Sequence, residues 1–199
     1  MEIGEVKTFL GLEEDKEGPF DIVILPIPYE MTTSYREGTE FGPKACINAS
    51  IQVEINDELL ESELPCGFKI HTSKPWDNDV PSLKEALVSI TNFSTPWMNG
   101  EQFPIILGGE HGLLLPLIEA VKEHPSINRE LQKLTIVQID AHADLRDELN
   151  GEKFSHGTVI RRALDAGVGN VIQIGVRTYS SEEEEIIQND GRVRTWFAR

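Results

Sequence analysis

Short apolar runs, separated by polar stretches that carry glycine and proline, set the rhythm of this 199-residue chain. Phe20-Asp-Ile-Val-Ile-Leu25, ended by Pro26 and Pro28, reads as a first buried strand. Phe103-Pro-Ile-Ile-Leu107 is the second clear strand, and Leu134-Thr-Ile-Val-Gln-Ile139 reads as one that is fully buried. Val171–Val176 and a strand beginning at Arg192–Phe197 follow. Between them lie helical patterns: Pro43 to about Ser50, Ser82 to Ile90 with a serine cap, and a helix to about Glu123 stopped by Pro125. Two more are Thr158 to Ala166, closed by Gly167, and a helix capped by Ser181 that runs through Gln188. Strands alternating with helices predict a three-layer α/β/α domain spanning residues 1–199, with a mainly parallel sheet covered on both faces.

Residues 1–19 read as a polar lead-in, and residues 28–43 as a long loop of the kind that often carries function. Residues 51–80 are the least patterned; irregular structure and a short strand at Gly67–Ile70 are expected there. The acidic Glu182–Glu185 run reads as a solvated helix face.

The formal net charge of −16 argues against a nucleic-acid partner, which needs a basic footprint. It is compatible with steering a cationic substrate. No apolar run approaches the roughly 20 residues that span a membrane. The acidic start has no basic-then-apolar signal pattern, so a cytoplasmic protein is the expectation. Cys46 and Cys66 form no CxxC; a reduced compartment and a packing role for both are expected.

Candidate chemistry concentrates where the strands end. Asp140, His142 and Asp144 stand at every second position after the Leu134–Ile139 run, and in extended backbone such side chains point to one side. Parallel α/β sheets bind ligands outside the carboxyl ends of their strands. His111 follows another strand through a Gly108-Gly109 turn, and His156 lies on the loop after Asp144. Neighbouring strand ends sit about 5 Å apart, so these side chains are expected to converge. Imidazole and carboxylate with no nearby thiolate suit Mn²⁺, Fe²⁺ or Zn²⁺ rather than a closed structural zinc site. The competing reading is a helix-capping Asp140 with His142 and Asp144 as turn polars.

Gly108-Gly-Glu-His-Gly112, Asp140-Ala-His-Ala-Asp144 and Ser155-His-Gly-Thr158 resemble, in order, the signature of the ureohydrolases, the family of arginase, agmatinase and formimidoylglutamase. Residues 28–43 and Ser155–Ala163 resemble the agmatinase forms, and the likeness covers most of residues 20–199. The resemblance implies an arginase-like fold and two Mn²⁺ ions bridged by a hydroxide. It implies that His111, Asp140 and Asp144 hold one ion and His142 the other, with Asp140 bridging. It also implies His156 as proton shuttle, a small cationic guanidino substrate such as agmatine, products urea and putrescine, and a homotrimer or homohexamer without membrane partners.

The chain departs from the family pattern at Gly112, where serine is common, and at Asn48, where arginine is common. The family's later Asp-x-Asp segment has no counterpart: after Asp144 the aspartates are Asp147, Asp165 and Asp190. The expectation is a ureohydrolase domain truncated at its C-terminus. The alternatives are a fragment that at most binds a partner or one metal, a relative acting on guanidinobutyrate, arginine or formimidoylglutamate, and a zinc-dependent deacylase, against which the intact GGEH and SHGT segments argue.

Overall fold

The computed structural model describes residues 7–13 and 18–198, so the polar lead-in falls partly outside the described residues. The chain divides into two compact units: the segment up to Glu30 with Glu37–Gly109, and Met31–Arg36 with Glu110–Arg199.

In the first unit, β1 (Ile22–Ile27) lies between β4 (Ile70–Thr72) and β5 (Phe103–Gly108), parallel to both. Val23, Ile24, Leu25 and Ile27 are buried, as an apolar central strand requires. Helix α1 (Gly42–Ser50) carries Pro43 in its first turn, and α2 (Leu83–Ser94) is capped by Ser82, whose Oγ accepts from the Glu85 N–H. The expected strand at Gly67–Ile70 instead runs Ile70–Thr72, where β1 supplies its pairing. Before it, β2 (Asn56–Asp57) and β3 (Ser62–Glu63) form a short antiparallel pair. The His71 ring stacks on Phe20 with centroids 4.5 Å apart. Cys46 corrects the packing expectation: the buried stripe of α1 runs through Pro43, Ile47 and Ser50 and leaves this cysteine exposed. Cys66 is half-buried, and both are free thiols.

In the second unit, β6 (Thr135–Ile139), β7 (Asn170–Val176) and β8 (Val193–Phe197) form a parallel sheet in that order. Helices α3 (Leu114–Val121), α4 (Val159–Asp165) and α5 (Ser181–Asn189) pack against it through a core that includes Ile118, Leu145, Ile160, Leu164 and Val171. Parallel strands flanked by helices are the architecture that the alternating pattern predicted.

Two expectations need correction here. Strand β6 is not fully buried: Val137 is 58% and Ile139 82% exposed, while the polar Gln138 is 5% exposed. Ile139, Ile174 and Trp196 are cross-strand partners and form an exposed apolar rung on one face. The Glu182–Glu185 run is also not uniformly solvated. Glu183 is buried, and the cap of α5 is Ser180 rather than Ser181, in a capping box with Glu183. Glu183 further accepts the Leu145 N–H at 3.0 Å, which ties α5 to the segment following Asp144. Among the described residues, no helix is long and apolar enough to cross a membrane.

Candidate metal centre

The backbone beyond β6 stays attached to the chain beyond β7. The Asp140 N–H donates to the Ile174 carbonyl, and Arg177 and Thr178 both donate to the Ala141 carbonyl. His142 pairs with Thr178 as an isolated parallel bridge. Extended pairing therefore reaches His142 and then stops. Asp144 adopts φ +54°, so a left-handed turn, and not continued strand alternation, brings its carboxylate round. Of the two glycines before His111, Gly109 has a separate reason: a Cβ there would stand 2.1 Å from the Tyr29 carbonyl oxygen.

His111, Asp140 and Asp144 come together. The Nδ1 of His111 lies 2.8 Å from Asp144 Oδ2 and 3.4 Å from Asp140 Oδ2. Asp140 turns its other oxygen, Oδ1, to within 3.4 Å of His142 Nδ1. The His142 side chain is the more open, 62% exposed against 35% for His111. Among the described residues β5 and β6 pair in different sheets, so hydrogen bonding between these two strands does not set the convergence. The convergence arises within the second unit, between the 3-10 turn His111–Leu113 and the segment after β6.

The electrostatics favour a cation at this spot. Burial by itself pushes the His111 imidazole downward. The hydrogen bond to Asp144 and the charges of Asp144 and Asp140 outweigh it, and the net shift is upward. One ring nitrogen and two carboxylate oxygens lie within 4.8 Å of one another. That mixed donor set fits a divalent transition ion better than Ca²⁺, which prefers oxygen throughout.

His156 opens the 3-10 turn His156–Thr158, which packs against the turn that bears His111. Its N–H donates to Thr32 Oγ1 at 3.2 Å, and its Nε2 lies 3.4 Å from Ser34 Oγ. Thr32 in turn donates from Oγ1 to Glu110 Oε1 at 2.5 Å, and Glu110 Oε2 accepts the N–H groups of Met31 and Thr32. Glu110 is buried, and its carboxylate fastens Met31–Arg36 beside His156. Sequence reasoning assigned this glutamate no task. Its place directly before His111 was the available sign. Gln138 was missed too; its Nε2 donates to Asp144 Oδ2 at 3.1 Å.

Residues 20–198 match the model of the arginase family. The chain is 37% identical over 183 residues to an N(1)-aminopropylagmatine ureohydrolase of Synechocystis sp., covering 89% of this chain and 57% of that protein. It is 33% identical to an agmatinase of Bacillus cereus, covering 90% of this chain and 58% of the relative. The chain thus spans somewhat over half the length of these curated relatives. Proclavaminate amidino hydrolase from Streptomyces clavuligerus superposes with a TM-score of 0.81 at 23% identity, over 98% of this chain and 64% of that one, which shows a shared three-layer α/β/α fold. With residues 20–198 matched by the family model, the chain belongs to the arginase family.

Proposed function

We propose that this protein is a manganese-dependent amidinohydrolase of the agmatinase type, which cleaves the guanidinium group of agmatine to urea and putrescine. The observation that carries the reading is the Asp140 carboxylate, with one oxygen toward His111 and the other toward His142. A carboxylate so placed between two imidazoles is suited to bridging two cations.

In this reading His111, Asp140 and Asp144 would hold one Mn²⁺ and His142, sharing Asp140, the other. When bound, the ions lower the pKa of water and supply a nucleophile near neutral pH. The carboxylates bring negative charge to the spot where a guanidinium must approach, in a chain of net charge −16. His156 would hand a proton to the departing amine from a ring whose Nδ1 lies 3.5 Å from Thr32 Oγ1 and whose Nε2 lies 3.4 Å from Ser34 Oγ.

A second substrate is favoured by one observation. The Synechocystis relative is named for N(1)-aminopropylagmatine, a longer polyamine bearing the same guanidinium. The test is urea release from agmatine and from N(1)-aminopropylagmatine with added Mn²⁺, with His142→Ala as control. Manganese-dependent urea release lost in the control supports the proposal, and the faster substrate names the specificity. No urea from either compound overturns it and leaves a domain that at most binds metal or a partner.

A further inference from the structure

One polar rung crosses the second unit's sheet beneath the candidate centre. Gln138 on β6, Gln173 on β7 and Thr195 on β8 are partners in register. Gln138 and Gln173 are 5% and 0% exposed, in strands whose other inward residues are apolar. A buried amide is costly unless its groups are paired, so such a pair invites a reason.

The hydrogen bonds run in one direction. Thr195 Oγ1 donates to Gln173 Oε1 at 2.8 Å. Gln173 Nε2 donates to Gln138 Oε1 at 2.7 Å and to the Ala143 carbonyl at 2.8 Å. Gln138 Nε2 donates to Asp144 Oδ2 at 3.1 Å and to the His142 carbonyl at 3.3 Å. The receiving oxygen on Asp144 is the one that faces His111. An ionised carboxylate only accepts, so Gln138 must present its NH₂ group there. Its carbonyl is then turned to Gln173, whose NH₂ group must serve that oxygen and the Ala143 carbonyl, so Gln173 turns its own carbonyl to Thr195, whose hydroxyl donates there. Each amide is held in one of its two orientations by the next.

We infer that Thr195, Gln173 and Gln138 form a positioning relay that fixes the Asp144 carboxylate, and with it the Ala141–Asp144 backbone, for metal binding. The relay touches neither metal nor substrate and acts through Asp144. This inference rests on the metal site proposed above. Outer partners of this kind commonly set metal affinity by about 10–100-fold.

The test is Mn²⁺ titration by calorimetry on the full chain, with thermal unfolding measured alongside. Gln138→Met keeps the length and shape of the side chain but removes both donors; Mn²⁺ affinity is expected to fall about 10–100-fold. Thr195→Val is close in shape and removes only the far hydroxyl; a several-fold loss is expected with the unfolding midpoint little changed. Thr195→Ser restores the donor and is expected to restore affinity, which a purely structural role for the methyl group would not do. Should Gln138→Met fail to fold, the Thr195 pair decides alone. Wild-type Mn²⁺ binding that persists within twofold in Thr195→Val, and in Gln138→Met when it folds, overturns the relay and leaves the metal site standing. No Mn²⁺ binding by the wild type overturns both.

Discussion

The Nδ1 of His111 and the Oδ2 of Asp144 lie 2.8 Å apart across 33 positions of chain, one on a 3-10 turn and the other on a left-handed turn. Asp144→Asn removes the negative charge while keeping a residue that tolerates that backbone. Mn²⁺ affinity is expected to fall by more than the roughly 100-fold seen for outer partners, with the unfolding midpoint nearly unchanged. Calorimetric titration and a thermal melt check the two halves. Binding as tight as wild type would remove Asp144 from the ligand set.

Gly109→Ala places a methyl group against the Tyr29 carbonyl, and the backbone has to give. A loss of about 1–3 kcal/mol is expected in urea unfolding. Gly191→Ala, where nothing lies within 4 Å, is the matched control and is expected to fall within about 0.5 kcal/mol of wild type.

Glu183→Ala leaves the Leu145 N–H and the Ser180 N–H and hydroxyl without their acceptor. A destabilisation of about 2–3 kcal/mol is expected, against about 0.5 kcal/mol or less for the exposed Glu185→Ala. Equal costs for the two variants would show that the buried carboxylate contributes nothing special. Denaturant titration of both distinguishes these cases.

The hydrogen bonds from the Arg192 side chain hold the Asp190 carboxyl below the usual carboxylate range. The unfolded chain therefore binds a proton here more readily than the folded one. The pair's stabilisation is complete above the ordinary aspartate value and is lost as pH falls through the lower folded value. In Asp190→Asn, stability measured from pH 5 down to pH 2 is expected to decline less steeply than in wild type. Parallel curves would show that this pair contributes no linkage.

Much of the fold was readable because each strand announced itself by apolar composition and each helix by its stops. The Ser82 cap, Pro43, and the β5, β7 and β8 runs lie where pattern placed them, whereas β1 starts at Ile22 and runs on through Pro26, the partner of Leu107, to Ile27. The grouping of His111 with Asp140 and Asp144 was readable as chemistry at strand ends, but the route to it was not. Alternation stops at His142, and φ at Asp144 depends on contacts that no local pattern reports. Gln138 and Gln173 look like outward residues in apolar strands; only their pairing across the sheet reveals them as inward. Glu183 hid in a run of four acids, although Ser180-x-x-Glu183 is a capping-box spacing. Residues 51–80 stayed obscure because their strands are two or three residues long and owe their existence to partners.

The inverted alternation of β6, with Gln138 inside and Ile139 outside, bears on how the sheet finds its alignment. A slip by a single residue would bring Val137 and Ile139 under the helices and expel Gln138 together with Ile136, an exchange of two apolar side chains for one that hydrophobic burial by itself rewards. What opposes it is the loss of the amide contacts joining Gln138 to Gln173 and Asp144. Here the polar minority decides the frame in which the apolar majority is read, so the geometry of the candidate centre and the alignment of the strand beneath it stand or shift together.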